Sequence, residues 1–287
     1  MDKIKKLGVG IGFREPFRAD IFLHQEKIDF LEITADHYFD ASDKKLEELD
    51  ILGQHFPLIP HGLDLSLGSA EGIDDSYLEK FAELIDFVEP EWFSDHICFT
   101  RSGGVSIGHL APLPFTNEAL KVLTKNIAIV KKRVDVPMVL ENITYSVRFP
   151  SSEMSETVFL SKVLEETDCG LLLDVTNLYI NSRNFGFNWR RFLDEIPLER
   201  VVQLHFVGSH RHGQRFIDAH SHKTENEIWE IFEEVCLRCD VKGAILERDG
   251  NFPPFDEIIN EISTARKYFS GCDRIEPKII KTGEIIK

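Results

Sequence analysis

The 287-residue chain is short of positive charge, of cysteine and of long apolar runs. It carries 33 Lys and Arg against 49 Asp and Glu, a formal net charge of −16. Neutralising phosphates takes a Lys/Arg surface, so this balance argues against a nucleic-acid partner. No apolar run approaches the ~20 residues that span a bilayer, so no membrane association is expected. The opening MDKIKKLGVGIGF is basic, but its apolar run is too brief for a signal peptide. The five cysteines (Cys98, Cys169, Cys236, Cys239, Cys272) are scattered and odd in number. That excludes a disulfide framework and points to a reducing, cytoplasmic setting. Cys236 and Cys239 form a lone CxxC without the second pair a zinc ribbon needs, so it reads as helix spacing. No Pro/Gly/Ser-rich linker and no internal repeat divides the chain. The surplus acid fits plain solubility, and it also fits carboxylates gathered around cations.

What the chain does have is short apolar runs at regular intervals. They are LGVGIGF (7–13), IDFLEI (28–33), FPLIPHG (56–62), EWFSDH (91–96), VPMVLEN (136–142), CGLLLDV (169–175), RVVQLHF (200–206) and GAILER (243–248). Near-continuous apolar runs are what buried parallel strands look like. Between them lie SYLEKFAELIDFV, NEALKVLTKNIAIVKKRV and NEIWEIFEEVCLRC, with apolar residues every three or four positions, the helical period. Strand and helix alternating eight times predicts an α/β protein, a (β/α)8 TIM barrel over residues 1–271. Residues 272–287 fall outside the pattern as a C-terminal tail.

Seven of the eight runs end in a metal-ligand type: Glu32, His61, His96, Glu141, Asp174, His205 and Glu247. In this barrel all C-terminal strand ends converge on one face, where active sites sit. A single buried His or carboxylate there is an ordinary satisfied polar group. Seven in register are different: unneutralised, the carboxylates repel one another and titrate upward, and bound cations remove the conflict. Mixed imidazole and carboxylate ligands suit iron, zinc or manganese. His61, His96 and Glu141, from neighbouring runs, group as one metal position. Asp174, His205 and Glu247 group as a second, with Glu141 placed to bridge. A third position draws on Asn177, Asp218 and His220. Those last two belong to the histidine-rich VVQLHFVGSHRHGQRFIDAHSH, where alternate residues share a face if the chain is extended. His210, His212 and His222 of that stretch read as rim residues.

The motifs HGLDLSLGS, SDHICF, LAPLPFT, LENITYS, LLLDVTNLYI, QLHFVGS, IDAHS and ERDGNFP occur in this order from about Gly8 to Pro254. Together they resemble the multinuclear non-heme iron-dependent oxidases. That family was long catalogued as a domain of unknown function, and it includes the oxidase of methanobactin biosynthesis. The resemblance implies a xylose-isomerase-like barrel with two or three irons on His61, His96, Glu141, Asp174, His205 and Glu247, and Asp218, His220 and Asn177 around a further ion. It implies an O2-using oxidoreductase that modifies a ribosomally made precursor peptide, typically at Cys, often presented by a companion protein. The acidic composition would favour a basic segment on such a partner. Thr176 departs from the family pattern, where Asn is common. Asp36-His37-Tyr38 replaces Glu-Asn-Tyr.

Two competing readings use the same strand ends. One is another divalent-metal barrel enzyme: a sugar isomerase or epimerase with Glu141 and Glu247 as acid and base, or a zinc phosphodiesterase. The phosphodiesterase would need a His at Asn177 and a basic face. The other is a non-catalytic metal-loaded scaffold. On the enzyme readings the catalytic candidates are Glu141, Asp174 and Glu247. Substrate-contact candidates are Arg14, a carboxylate partner or half of a structural ion pair; Glu32, a ligand or an acceptor orienting a His; and Tyr145 and Arg248, just past their strand ends.

Overall fold

The computed structural model describes residues 4–271, so the tail expected at 272–287 lies outside the described residues. Eight parallel strands close into a barrel. In chain order they begin with β1 (Gly8–Gly12), β2 (Leu31–Thr34), β3 (Leu58–His61) and β4 (Phe93–His96). A hairpin, β5 (Phe99–Ser102) and β6 (Val105–Ala111), interrupts the run. The barrel resumes with β7 (Met138–Glu141), β8 (Gly170–Asp174) and β9 (Val201–Phe206). A second hairpin, β10 (Gly208–His212) and β11 (Arg215–His222), precedes the closing strand β12 (Gly243–Leu246), which pairs with β1. Helices follow the strands on the outside: α1 (Arg18–Leu23), α2 (Asp43–His55), α3 (Asp75–Val88), α4 (Asn117–Arg133), α5 (Glu156–Thr167), α6 (Val175–Phe185), α7 (Trp189–Glu195), α8 (Asn226–Arg238) and α9 (Phe255–Gly271). Each of the eight expected strands and the three periodic helices lies where the apolar pattern places it.

Alternation along each strand builds two cores. Outward residues such as Val9, Leu140, Leu173 and Leu246 pack against the helices. Inward ones, Phe30, Ile59, Trp92, Val139, Leu172, Val202 and Ile245, form a separate plug inside the barrel. Two residues further along, on the same face, stand Glu32, His61, Ser94, Glu141, Asp174 and Glu247. The apolar plug is therefore the dry floor of a polar bowl. β9 carries a bulge: Leu171 pairs with Val201 but Leu172 pairs with Gln203. The extra residue, Val202, brings Gln203 and His205 round to the inner face. β1 adds no side chain to the bowl. A Cβ at Gly10 would lie 2.1 Å from the Phe30 carbonyl oxygen, so only glycine fits there.

The two hairpins are additions to the eightfold strand–helix pattern. Neither hairpin has a continuous buried face: β6 is open to solvent from Val105 to His109, and no residue of β11 is fully buried. No buried face imposes a period of two, so the apolar signal is missing. The turn signal is present: Gly103 and Gly104 both have positive φ, +62° and +72°, as a tight hairpin turn demands.

Candidate metal centre

Three groups of side chains could hold a metal ion: His61 with His96 and Glu141; Glu141 with Asp174, His205 and Glu247; and His220 with Glu247 and Asp249. The first two groups are fully buried and share Glu141. Its Oε2 lies 3.4 Å from His61 Nε2 and 3.3 Å from His96 Nε2, while Oε1 lies 3.5 Å from His205 Nδ1. Glu247 Oε2 stands 3.1 Å from the same His205 nitrogen, and its Oε1 is 3.6 Å from His220 Nδ1.

The ligand rings are aimed by partners behind them. His61 Nδ1 meets Ser94 Oγ at 2.8 Å, so a proton held there leaves Nε2 bare toward the bowl. His205 Nε2 lies 2.8 Å from Glu32 Oε2, which also accepts from Gln203 Nε2 at 2.5 Å. Trp92 Nε1 in turn donates to Gln203 Oε1 at 2.6 Å. Glu32 is thus an orienting acceptor. Asp174 Oδ1 caps α6 by accepting from Asn177 N at 2.7 Å. Asn142 exchanges two hydrogen bonds with the Asp174 peptide group, fixing its place. The His-Gly and Ser-Asp-His motifs interlock: a Cβ at Gly62 would approach Asp95 Oδ2 to 2.5 Å. Asp95 also accepts from His96 N at 2.6 Å.

Electrostatics show why cations suit this bowl. Burial, with repulsion from Glu141 and Asp218, pushes Asp174 well above the usual carboxylate range. Burial also acts to raise Glu141, but His96 and His205 outweigh it and hold it down. Burial pushes His96 down to about 4, while for His205 the carboxylates of Glu32, Glu247 and Glu141 outweigh burial and hold it up. Five buried atoms of this cluster have no hydrogen-bond partner: His96 Nδ1, Glu141 Oε2, Asp174 Oδ2, His205 Nδ1 and Asp218 Oδ1. Buried polar atoms are almost always satisfied. A concentration of orphans on the candidate ligands is the donor set that a metal would satisfy, and the N/O chemistry fits iron, zinc or manganese.

The outer group differs from the expected one. Asp218 and His220 share a face of β11, but they face each other, with Asp218 Oδ2 2.8 Å from His220 Nε2. The opposite nitrogen meets Asp249 Oδ2 at 2.9 Å. Asp249 was not among the sequence candidates, although its position two residues after Glu247 is the signal that could have found it. His220 has φ +46°, a left-handed conformation uncommon outside glycine that turns its carbonyl to the Asp249 and Gly250 amides. Asn177 does not join the group: its amide donates to the Asn142 carbonyl and its Oδ1 accepts from Thr144. Thr176 is bonded through its hydroxyl to both the N and O of Val207, tying α6 to the end of β9. Asp36 accepts from Tyr77 and from Leu63 N, holding the segment after His61.

Of the substrate-contact candidates, Arg14 forms a structural pair. Its Nη2 is 2.5 Å from Asp249 and 3.9 Å from Glu247, a fixed cation beside the outer group. Arg248 is a correction. Alternation sends Glu247 into the bowl and turns Arg248 away, into a buried 2.9 Å pair with Glu261 of α9. Tyr145 lines a cavity of about 590 Å³ beside the bowl, with Phe115, Arg148, Met154, Glu156 and Phe187. No residue of the three groups lines it. Tyr145 donates to Glu156 Oε2 at 2.7 Å, and burial raises Glu156 to about 7. The folded state then keeps a proton that the unfolded chain loses from about pH 4.5, so stability is lost as pH climbs to about 7. Glu156→Gln is expected to melt progressively higher than wild type across that window. The gain should plateau at about 1–2 kcal/mol above neutrality, with solvent access allowed for. A melting difference that stays flat from pH 5 to about 7 would contradict it.

The comparisons with known proteins decide the family. Residues 8–270 match the model of the RiPP precursor modification enzyme family MbnB/TglH/ChrH. The chain belongs to this family. Members of UPF0276 are similar along nearly their whole length. One from Caulobacter vibrioides is 34% identical over 260 residues, 90% of this chain and 93% of its own. One from Rhizorhabdus wittichii is 35% identical over 260 residues with the same coverage. Among solved structures, D-psicose 3-epimerase from Clostridium cellulolyticum H10 superposes with a TM-score of 0.56. It covers 92% of this chain and 99% of that one at 13% identity. The 3-keto-D-glucoside 4-epimerase of E. coli gives 0.52, with 92% and 100% covered at 13% identity. At that identity they speak for the fold alone, a xylose-isomerase-like TIM barrel. The family is one of enzymes that modify ribosomally made peptides, and no described helix is long and apolar enough to cross a membrane.

Proposed function

We propose that this family member is an iron-dependent, O2-using oxidase that modifies a precursor peptide at a Cys side chain. The observation that carries the reading is the pair of buried His and carboxylate groups that share Glu141, several of their polar atoms unsatisfied, above an apolar floor. His61, His96 and Glu141 would hold one ion, and Asp174, His205 and Glu247 a second, with Glu141 shared. Glu247 and His220, with Asp249 and Asp218, would serve an outer ion, beside the cation that Arg14 already supplies. Bound iron supplies one-electron chemistry with dioxygen and open positions for a thiolate. The chain's own residues do the rest. Ser94 and Glu32 hold the outer protons of His61 and His205, keeping the inward nitrogens bare. Asn142 and the α6 amide lock Asp174. Trp92, Val139 and Leu172 keep water from below. A companion protein presenting the peptide, and a cytoplasmic setting, belong to the same reading.

Metal analysis after anaerobic purification tests it. Two or three irons per chain, with the spectroscopic signature of a coupled mixed-valence pair and oxygen uptake on adding a Cys-containing precursor, are expected. Zinc alone with sugar epimerisation and no oxygen uptake would move the chain to the divalent-metal sugar enzymes. Metal without any turnover would leave a scaffold.

A further inference from the structure

The mouth of the barrel carries four arginines outside any close ion pair among the described residues, of which Arg148 still acts on the Glu156 carboxylate and the Tyr145 hydroxyl. Arg148 follows β7, Arg183 lies on α6, and Arg211 and Arg215 sit on the β10–β11 hairpin. All four are exposed, and none makes an ion pair among the described residues. Every other described arginine pairs with an Asp or Glu. In a chain with a net charge of −16, unpaired arginines are the exception, and these four gather on one face.

Three of the four lie over aromatic rings. The Arg148 guanidinium lies over Phe185 at 4.4 Å and near Phe187 at 5.5 Å. Arg183 and Arg211 share Phe216, at 5.6 and 6.0 Å. Phe216 is itself clamped to α6, since Asn184 donates to its carbonyl and accepts from its amide. Arg215 donates to the Ser146 carbonyl at 3.4 Å, linking the hairpin tip to the segment after β7. A guanidinium over a ring can still offer in-plane donors to a carboxylate; Arg211 Nε donates to the Gly213 carbonyl at 3.1 Å, which leaves its terminal Nη donors for a ligand. The face adjoins the mostly apolar cavity lined by Tyr145, Arg148 and Phe187, whose own carboxylates are engaged, Glu156 by Tyr145 and Glu195 by Arg191. Its supports grow from the ends of β7, β8 and β9, the strands that carry Glu141, Asp174 and His205.

We propose that Arg148, Arg183, Arg211 and Arg215 form a docking face for an acidic, aromatic-containing segment of the peptide substrate; this rests on the peptide-modifying reading above. Overall charge favours a basic partner, but at the mouth the unmatched charges are cationic. The face sets which peptide is brought to the bowl and takes no part in the metal groups.

The test is fluorescence anisotropy with the metal-loaded full chain and a labelled peptide of alternating Glu and Leu with one Phe. Matched peptides with Gln or Lys in place of Glu, and a single-stranded oligonucleotide of equal charge, are the controls. The Glu peptide should bind best and weaken as salt is raised. Arg148→Glu/Arg211→Glu should weaken it at least about tenfold, the loss of two charge-assisted contacts. Metal content and oxygen uptake with a short Cys peptide should stay at wild-type values. Arg148→Gln/Arg211→Gln gives a smaller loss in the same direction and guards against a folding defect. Equal binding of the Gln peptide, tighter binding of the oligonucleotide, no binding at all, or unchanged affinity in both variants overturns the docking face. Absence of iron and oxygen uptake in wild type would instead overturn the oxidase reading, so the two failures are distinguishable.

Discussion

Glu141→Gln is expected to empty both proposed metal positions at once and to abolish activity, while His96→Ala empties the first alone. Glu141 is the one carboxylate common to both groups, with one oxygen turned to His61 and His96 and the other to His205. The amide keeps the shape but removes the negative charge, and its NH2 turns donors toward nitrogens or cations that need an acceptor. Glu141→Gln should lack the about 2.7 kcal/mol of metal-linked stability that each position gives wild type at a hundredfold excess of metal over Kd. The metal-free proteins should show a smaller difference of the same sign. Glu141 raises its neighbour Asp174 by repulsion, but His96 and His205 hold Glu141 itself ionised against burial, so its charge is stabilising above the ordinary carboxylate range. Metal-free Glu141→Gln should therefore melt somewhat lower than metal-free wild type, and the gap should widen once metal is added. Iron per chain by elemental analysis and melting with and without metal decide the matter. Full occupancy in Glu141→Gln would show that the groups do not share this residue.

The contrast between the inner and outer groups shows what a sequence can reveal of such a site. A strand end buried in a barrel is doubly constrained, by an apolar run behind it and by convergence of all strands on one face. His61, His96, Glu141, Asp174, His205 and Glu247 were legible for that reason, as were the eight strands that carry them. Beyond the strand ends the constraint lapses. Asp249 and the mutual facing of Asp218 and His220 depend on a hairpin whose open faces leave no apolar period. The Arg248 expectation fails on a single step of alternation past β12, which turns it to Glu261. Arg148, Arg183, Arg211 and Arg215 are spread over some seventy positions, and the overall charge points the other way. Gln203 gave no signal either. It faces inward because β9 bulges at Val202, a register shift that composition does not encode.

That bulge leads to the second large effect. Glu32→Gln is expected to weaken metal binding roughly 10- to 100-fold without lowering the number of ions held at saturation. Glu32 accepts from Gln203 and faces the outer nitrogen of His205, and Gln203 is fixed by Trp92. The row ties the apolar floor to a ligand ring. Among the charges that hold the His205 imidazole up against burial, Glu32 comes first. With an amide at position 32 the ring can still be bonded but becomes a poorer electron donor through Nδ1. If Glu32 were itself a ligand, its loss would remove an ion outright, and no excess of metal would restore the count. A shifted binding curve that reaches the wild-type plateau is therefore the signature of orientation. Glu32→Ala sharpens the distinction. It leaves Gln203 Nε2 and His205 Nε2, 3.0 Å apart, with only each other and one acceptor too few, a cost of about 1–3 kcal/mol in the metal-free protein as well. Destabilisation of metal-free Glu32→Ala together with a full plateau in Glu32→Gln requires that Glu32 act through His205, from behind the ligand shell.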